Sequence, residues 1–260
     1  MHTLIGIAFS HYVEKARWAL DRFAVPYDDE RVLPFFHFPA VWRVHRGRAG
    51  TADRASSKYS TPVLRTPDGT LICDSGDIVR YVSETFAPAG LSLEPGADGE
   101  ALEQRVHDHL EPHTRRLGYS AVFERPALLK RMARENVTRG QAAVFSAMVP
   151  VAKVAMQRLL NISDEAAARS AVKIRAEFDH VGELLADGRP YLDGDRFTSA
   201  DIAFACMAAP SLLPPEYSAW MPSPDDVVER VAVTMRELRA HPAGQHALRM
   251  FAEERNRVVV

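Results

Sequence analysis

Hydrophobic residues in the first part of the chain alternate between short apolar runs and a helical period. Residues 3–8 form an apolar run with the length of a buried strand. Apolar positions then recur every three or four residues over 11–23, which predicts a helix that ends before Pro26. Residues 27–33 can form a second strand. A strand, a helix and a strand in so short a span predict a right-handed parallel crossover.

Residues 33–60 follow no clear period and contain a cluster of basic side chains. The cluster consists of Arg43, His45, Arg46, Arg48, Arg54 and Lys58. One interpretation is a solvated loop, because runs of charge usually face water. The alternative is an electropositive rim that attracts an acidic small molecule.

A hairpin and a helix are predicted next. Pro62 stands at the start of an apolar strand, where proline is tolerated. Turn residues at 66–69 lead to a return strand over 70–73, and a helix with an apolar face begins at Asp74. A cis bond before Pro62 is an open alternative, although only about 5% of such bonds are cis.

Proline and glycine over 87–99 predict a linker, and the chain beyond it has helical patterning without convincing strand pairs. We therefore predict an α/β domain over 1–86 and an all-helical domain over 100–260. In the second domain, Thr198 and Asp201 have the spacing of a capping box. The predicted helices cover 101–117, 126–160 with breaks at Gly140 and Pro150, 164–186 after a Ser163 cap, 225–240 and 242–255.

Composition limits the partners and the compartment. The 260 residues are 47% apolar and 25% charged, with a net charge of -2, so no global basic field indicates nucleic acid or a membrane as a partner. Two distant cysteines and an N-terminus without signal-peptide character favour the cytoplasm. The two cysteines, Cys73 and Cys206, do not have the spacing of metal ligands, and no metal is expected.

Two helix starts carry candidate binding chemistry. Ser10 lies between the first strand and the first helix, where it can cap the helix or donate a hydrogen bond to a bound thiolate. Asp74 and Ser75 open a later helix, where they can cap it or hold the carboxylate and ammonium of a ligand.

Four motifs in this order resemble the glutathione S-transferase superfamily. Ser10-His11-Tyr12-Val13 is similar to the Cys-Pro-Tyr-Cys turn of glutaredoxin-like folds, with serine in the first position. Thr61-Pro62-Val63-Leu64 resembles the segment that holds a cis-proline, and Asp74-Ser75 resembles the acidic-serine start of a helix. Phe197 to Ile202 is similar to the capping motif of the helical domain. The subclass stays unassigned.

The resemblance implies a thioredoxin-like domain followed by a helical domain, a homodimer, and glutathione as the co-substrate without a metal. It implies that Ser10 hydrogen-bonds the glutathione sulfur and that Thr61, before the cis-proline Pro62, pairs with the cysteinyl backbone. Asp74 and Ser75 would take the γ-glutamyl end. A role in detoxification belongs to the same set of expectations.

Some positions depart from the family pattern. His11 replaces the common proline, so it can contact the substrate or only be accommodated there. The glycyl carboxylate could bind Lys58, Arg46 or His45, and Lys58 is the residue we select. Cys73 is expected to be a buried structural thiol. Candidates for the electrophile pocket are Tyr12, His113 and Tyr119.

Three hypotheses follow for the function. The first is an enzyme that activates the glutathione thiolate for attack on a small hydrophobic electrophile. The second is a non-catalytic protein of the same fold that binds glutathione or a protein partner. The third, a thiol reductase, is weaker because Ser10 cannot form a mixed disulfide and Val13 replaces the second cysteine.

Overall fold

The computed structural model describes residues 1–46 and 59–259, and its N-terminal part contains one four-stranded sheet. The strands lie in the order β2-β1-β3-β4. β1 pairs in parallel with β2, and β3 is antiparallel to both β1 and β4. The predicted crossover and hairpin are therefore confirmed. The strands are β1 (His2–Ile7), β2 (Tyr27–Val32), β3 (Val63–Arg65) and β4 (Leu71–Ile72).

Helices cover both faces of this sheet, as the two-residue period of a strand requires. Leu4 and Leu64 belong to the core that includes α1 (His11–Arg22) and α3 (Ser75–Phe86). Their neighbours along the strands instead pack with Ala40 and Val41 of α2 (His37–His45). The expectation of an irregular segment after residue 33 was wrong over His37–His45, which forms α2. Its period is hard to recognise because Trp42 and Phe38, apolar by type, are exposed.

Beyond α3, the described chain consists of helices joined by loops, with two isolated β-bridges and no further strand, in agreement with the predicted helical domain. The helices are α4 (Ala97–Arg105), α5 (Glu111–Phe123), α6 (Pro126–Asn136), α7 (Arg139–Leu159), α8 (Asp164–Leu184), α9 (Ser199–Leu212), α10 (Glu229–Ala240) and α11 (Pro242–Glu254). A π-helical turn, Val106–Leu110, joins α4 to α5. Ser163 caps α8, and Thr198 and Asp201 form the predicted capping box of α9.

Helix boundaries differ from the predictions at several places. α5 continues to Phe123, beyond the predicted end at 117, and α10 begins at Glu229 and not at 225. α4 begins at Ala97, inside the predicted linker. The break in the 126–160 region lies at residues 137–138, because Thr138 caps α7 with its side chain. Pro150 is inside α7 and does not end it. It lies on the exposed face, where water can hydrate the carbonyl that loses its partner.

α1 lies between the two parts of the chain and buries several charged side chains as well as apolar ones. Glu14 and Arg17 are fully buried. Arg255 Nε donates to Glu14 Oε1 at 2.6 Å, and Arg17 Nε donates to Asp29 Oδ2 at 2.9 Å. Arg22 pairs with Glu254 of α11 at 2.9 Å. α1 is thus fixed to β2 and to the last helix by ion pairs, which orients its N-terminal turn.

Candidate functional site

Ser10 occupies the N-cap position of α1 but does not use its hydroxyl to cap the helix. Its backbone is extended, with φ -75° and ψ 128°, and its carbonyl accepts the first helical hydrogen bond from the Glu14 amide at 2.9 Å. The hydroxyl makes no cap hydrogen bond. It also has no other partner among residues 1–46 and 59–259. Both the hydroxyl and the positive end of the α1 dipole are therefore available to a ligand.

Ser10 lies in the wall of a cavity of about 290 Å³, called here the Ser10 cavity, that the two domains form together. From the helical domain, α5 presents Arg115, Tyr119 and Val122, which share one helical face. α6 and α7 add mainly apolar side chains. These are Leu129, Met132, Phe145, Val149, Ala152 and Met156, with Lys153 beside them.

The charged side chains that line the Ser10 cavity are basic. Arg115 and Lys153 line it, and no aspartate or glutamate does so within the described part of the chain. Burial raises the pKa of Tyr119 to about 12, against a smaller opposing effect of Arg115, so the phenol stays protonated near neutral pH. The cavity therefore suits an apolar molecule that accepts hydrogen bonds or carries negative charge.

Thr61 lines the same cavity as Ser10, as its predicted role requires. The Thr61–Pro62 peptide bond is cis. Pro62 itself is buried just before β3 and does not line the cavity. The structure thus places Ser10 and Thr61, which are 51 positions apart in the sequence, in the wall of one cavity.

Asp74 and Ser75 line a second, more polar cavity of about 550 Å³ between α3 and α4, called here the Asp74 cavity. Asp74 caps α3, because its Oδ1 accepts the Gly76 amide at 2.7 Å. Tyr12 lies in the walls of both cavities. Tyr12 therefore borders both groups of predicted glutathione-binding residues.

Three side chains at the start of α1 make a row of contacts with the helical domain that the sequence analysis missed. His11 Nε2 lies 3.0 Å from Glu111 Oε1, and the Tyr12 hydroxyl lies 3.2 Å from His107 Nδ1. Lys15 Nζ donates to Glu103 at 2.8 Å. Glu103, His107 and Glu111 recur every four residues in the sequence, which places three polar groups along one helical face. This spacing is the one sequence pattern that points to a row of polar contacts here.

The ionisation of this row reflects its burial. Burial alone would raise the pKa of Glu111, but the hydrogen bond and charge of His11, with Arg115, outweigh it and lower the pKa. Glu111 is therefore an ionised carboxylate under the wall of the Ser10 cavity. Burial, reinforced by Glu111, raises the pKa of Tyr12, so this phenol stays protonated.

Other predicted residues lie elsewhere. His113 does not line the Ser10 cavity; its Nδ1 lies 3.2 Å from Ser170 Oγ of α8. His45 Nε2 is 3.8 Å from Cys73 Sγ, a buried thiol whose pKa is raised by burial. Arg46 stacks over Trp42 at 4.8 Å. Lys58 lies outside the described residues. In the part of the chain described, no three His, Cys, Asp or Glu side chains are grouped as metal ligands.

Comparison with known proteins identifies the family that this fold and site define. The model of the glutathione S-transferase N-terminal domain matches residues 4–90, and that of the C-terminal domain matches residues 164–230. The chain belongs to the glutathione S-transferase superfamily. No curated protein sequence matches it significantly.

Solved structures agree with this fold at low sequence identity. A glutathione S-transferase from Pseudomonas fluorescens is 15% identical with a TM-score of 0.58, covering 100% of this chain and 98% of its own. One from Xanthobacter autotrophicus is 15% identical with a TM-score of 0.57, and the match covers 97% of this chain and 93% of that one. The β-etherase LigF from Sphingobium is 16% identical with a TM-score of 0.56, covering 95% and 98%. These similarities establish the fold, and the segment 91–163 between the matched domains contains α6 and α7.

Proposed function

We propose that this protein is a glutathione transferase that activates the glutathione thiolate for attack on a small hydrophobic electrophile. The observation that carries the proposal is the hydroxyl of Ser10. It stands at the N-terminus of α1, lines a largely apolar cavity and has no partner in the described chain. If Ser10 only capped the helix, its hydroxyl oxygen would accept a hydrogen bond from a backbone amide of the first turn.

The proposed chemistry uses the ligand's sulfur as the nucleophile. A thiol attacks poorly until it loses its proton, and a donor hydroxyl together with a helix N-terminus favours the thiolate. Ser10 would donate to this sulfur and would not attack. The sulfur then forms a bond to an electrophilic carbon, and either a leaving group departs with its electron pair or the adduct takes up a proton.

Glutathione would extend from the Ser10 cavity toward the Asp74 cavity. In this arrangement Thr61 pairs with the cysteinyl backbone, and Asp74 and Ser75 hold the γ-glutamyl end. Supporting this, Thr61 shares a cavity with Ser10, and Tyr12 borders both cavities. The apolar walls of α6 and α7 would hold the electrophile, with Tyr119 as a neutral donor beside it.

We also propose that the protein works as a cytoplasmic homodimer in detoxification. Family membership supports the dimer, and the two cysteines, which are free and buried, suit a reducing compartment. Sedimentation at several protein concentrations measures the oligomeric state, and a monomer at all of them would reject the dimer.

Calorimetry of glutathione binding, combined with thiolate absorbance against pH, tests the role of Ser10. We expect wild type to bind and to lower the thiol pKa. Ser10→Ala should bind with similar affinity, lose the pKa shift and turn over 1-chloro-2,4-dinitrobenzene roughly 100-fold more slowly, the usual loss for one donor to a developing charge. Ser10→Thr, which keeps the hydroxyl, is the matched control and should retain part of the shift.

Two results would contradict the proposal. If wild type does not bind glutathione at millimolar concentration, a non-catalytic role of the fold replaces the enzyme. If Ser10→Ala keeps the full thiol pKa shift, another group activates the sulfur.

A further inference from the structure

The helices α6 and α7 form a two-helix unit, the α6–α7 hairpin, with an unusual outer surface. Both helices direct apolar side chains into the Ser10 cavity: Leu129 and Met132 from α6, Phe145 and Val149 from α7. Because these side chains point the same way, the opposite faces of the two helices point outward together. This outer surface carries both an apolar and a basic part.

The apolar part belongs to α7. Val144 is 50% exposed and Val151 is 72% exposed, and Met148 and Val154 are exposed as well. These positions follow one another at helical spacing of three or four residues, so they form a stripe along one face. An exposed contiguous apolar stripe on a helix marks an interaction surface more often than isolated exposed residues do.

The basic part surrounds this stripe. Residues 125–159 contain seven basic residues and one acidic residue, although the whole chain has a net charge of -2. In the described chain none of the seven forms an ion pair, whereas most arginines outside the hairpin do. Six of them are exposed, namely Arg125, Lys130, Arg131, Arg134, Arg139 and Arg158, and the seventh, Lys153, lies at the wall of the Ser10 cavity.

We propose that the outer surface of the α6–α7 hairpin docks on an anionic lipid bilayer. Apolar side chains that enter the interface, flanked by Lys and Arg that reach the lipid phosphates, are the combination that such a surface binds. A second copy of the chain fits less well, because two identical positive surfaces would face each other. Nucleic acid offers no favourable environment for the valine stripe.

The contact is peripheral. α7 is long and apolar enough to cross a membrane by length and composition alone. However, Phe145, Val149 and Met156 on its inner face are buried against the protein, and Lys153 lies beside them at the cavity wall. The helix therefore presents one face to lipid and keeps the other in the fold. The inner face lines the cavity proposed for the electrophile, so a lipid-dissolved apolar compound would meet the protein at this wall.

Vesicle flotation of the full chain tests the docking without glutathione. At about 0.1 M salt we expect the protein to float with vesicles that contain about 30 mol% phosphatidylserine in phosphatidylcholine and to stay behind with phosphatidylcholine alone. Raising the salt to about 0.5 M should release it, because the charges are exposed and screened.

Matched variants identify the surface. Lys130→Gln/Arg134→Gln should weaken the partition coefficient by roughly 25-fold, about fivefold for each basic residue near the lipid. Arg169→Gln/Lys173→Gln makes the same charge change at exposed residues of α8 that form no ion pair within 4 Å in the described chain, and it should bind like wild type. For the apolar stripe, Val151→Ser should weaken binding, whereas Val172→Ser on α8, at a position 63% exposed, should not.

Four outcomes would overturn the proposal. The first is no flotation with the phosphatidylserine vesicles. The second is equal loss of binding in the hairpin and α8 variants, which would indicate an effect of net charge alone. The third is binding to polyglutamate but not to vesicles, which would assign the surface to an acidic protein. The fourth is a change of oligomeric state in Val151→Ser, which would assign the surface to a second copy of the chain.

Discussion

α1 and α7 both depart from the usual amphipathic helix, and they do so in opposite ways. α1 buries charged side chains on several sides, including Glu14 and Arg17. α7 carries apolar side chains on its inner and its outer face, with Val149 3% exposed and Val151 72% exposed. The contrast teaches that residue type alone does not determine burial. A charge can be buried where another element supplies its partner, and an apolar residue stays outside where no element covers it.

The partners of α1 come from distant parts of the chain. Glu14 accepts from Arg255, and its Oε1 also accepts the Ser218 amide at 3.1 Å. Arg17 donates to Asp29 and to the Ala8 carbonyl at 2.7 Å. Removing a charge from water costs several kcal/mol unless the geometry of its partners is good. The charges of α1 are therefore sensitive to the loss of any one partner.

The strongest test of the contrast is Glu14→Ala. Among the residues that the structure describes, it leaves buried Arg255 with Asp21, at 2.9 Å, as its one remaining ion-pair partner. Breaking a buried pair in this way costs about 3–5 kcal/mol of the free energy of unfolding. Urea denaturation measures the loss. Glu253→Ala, which removes an exposed partner of Arg249, is the control and should cost less than about 1 kcal/mol. Equal losses of unfolding free energy in both variants would show that the buried pair of Glu14 and Arg255 stabilises the fold no more than an exposed pair does.

Glu111→Gln tests the row of contacts between α1 and the helical domain. Loss of the charge opposite His11 should cost about 1–3 kcal/mol at neutral pH. The folded-state pKa of Glu111 is lowered from its ordinary value of 4.5, so its ionised form stabilises the fold above that pH. This contribution is lost as the pH falls through the lower, folded-state pKa.

The difference in unfolding free energy between wild type and Glu111→Gln should therefore shrink as the pH falls below 4.5. Denaturant unfolding at neutral and acidic pH measures it. Glu183→Gln at an exposed position of α8 is the control, with an expected change under about 0.5 kcal/mol. A difference that stays constant with pH would show that the ionisation of Glu111 contributes nothing.

The smallest effects distinguish the two faces of α7. Val149→Ala removes two buried methyl groups and should cost about 1–3 kcal/mol. Val151→Ala makes the same change on the exposed face and should stay within about 0.5 kcal/mol. Thermal or urea unfolding of the pair compares the faces directly. Similar losses would show that something covers the outer face in the isolated protein.

Much of the fold followed from local patterns. The strand over 3–8 and the helix at Ser10 were predicted because period and length agreed, and the cap at Thr198 because Asp201 has the required spacing. The break at Gly140 was wrong because Thr138, two residues earlier, supplies a stronger start to α7. A π-helical turn such as Val106–Leu110 leaves no comparable pattern, since it depends on packing.

The site could be predicted only where a motif has a fixed spacing. Ser10, Thr61 and Asp74 were selected in this way. The pairing of His11 with Glu111 joins two domains, and no local pattern reveals which of several polar residues will meet. The net charge of -2 likewise did not reveal the local excess of positive charge on the α6–α7 hairpin, because a sum over the whole chain does not show where the charges lie.

The ion pair between Glu14 and Arg255 links residues that are 241 positions apart, and this separation sets an order for biosynthesis. A ribosome completes α1 long before it makes α11. Until the last helix emerges, Glu14 cannot bury its charge, and the turn that carries Ser10 lacks part of its support. We expect the nascent N-terminal domain to remain loosely packed until Arg255 has left the ribosome and can pair with Glu14.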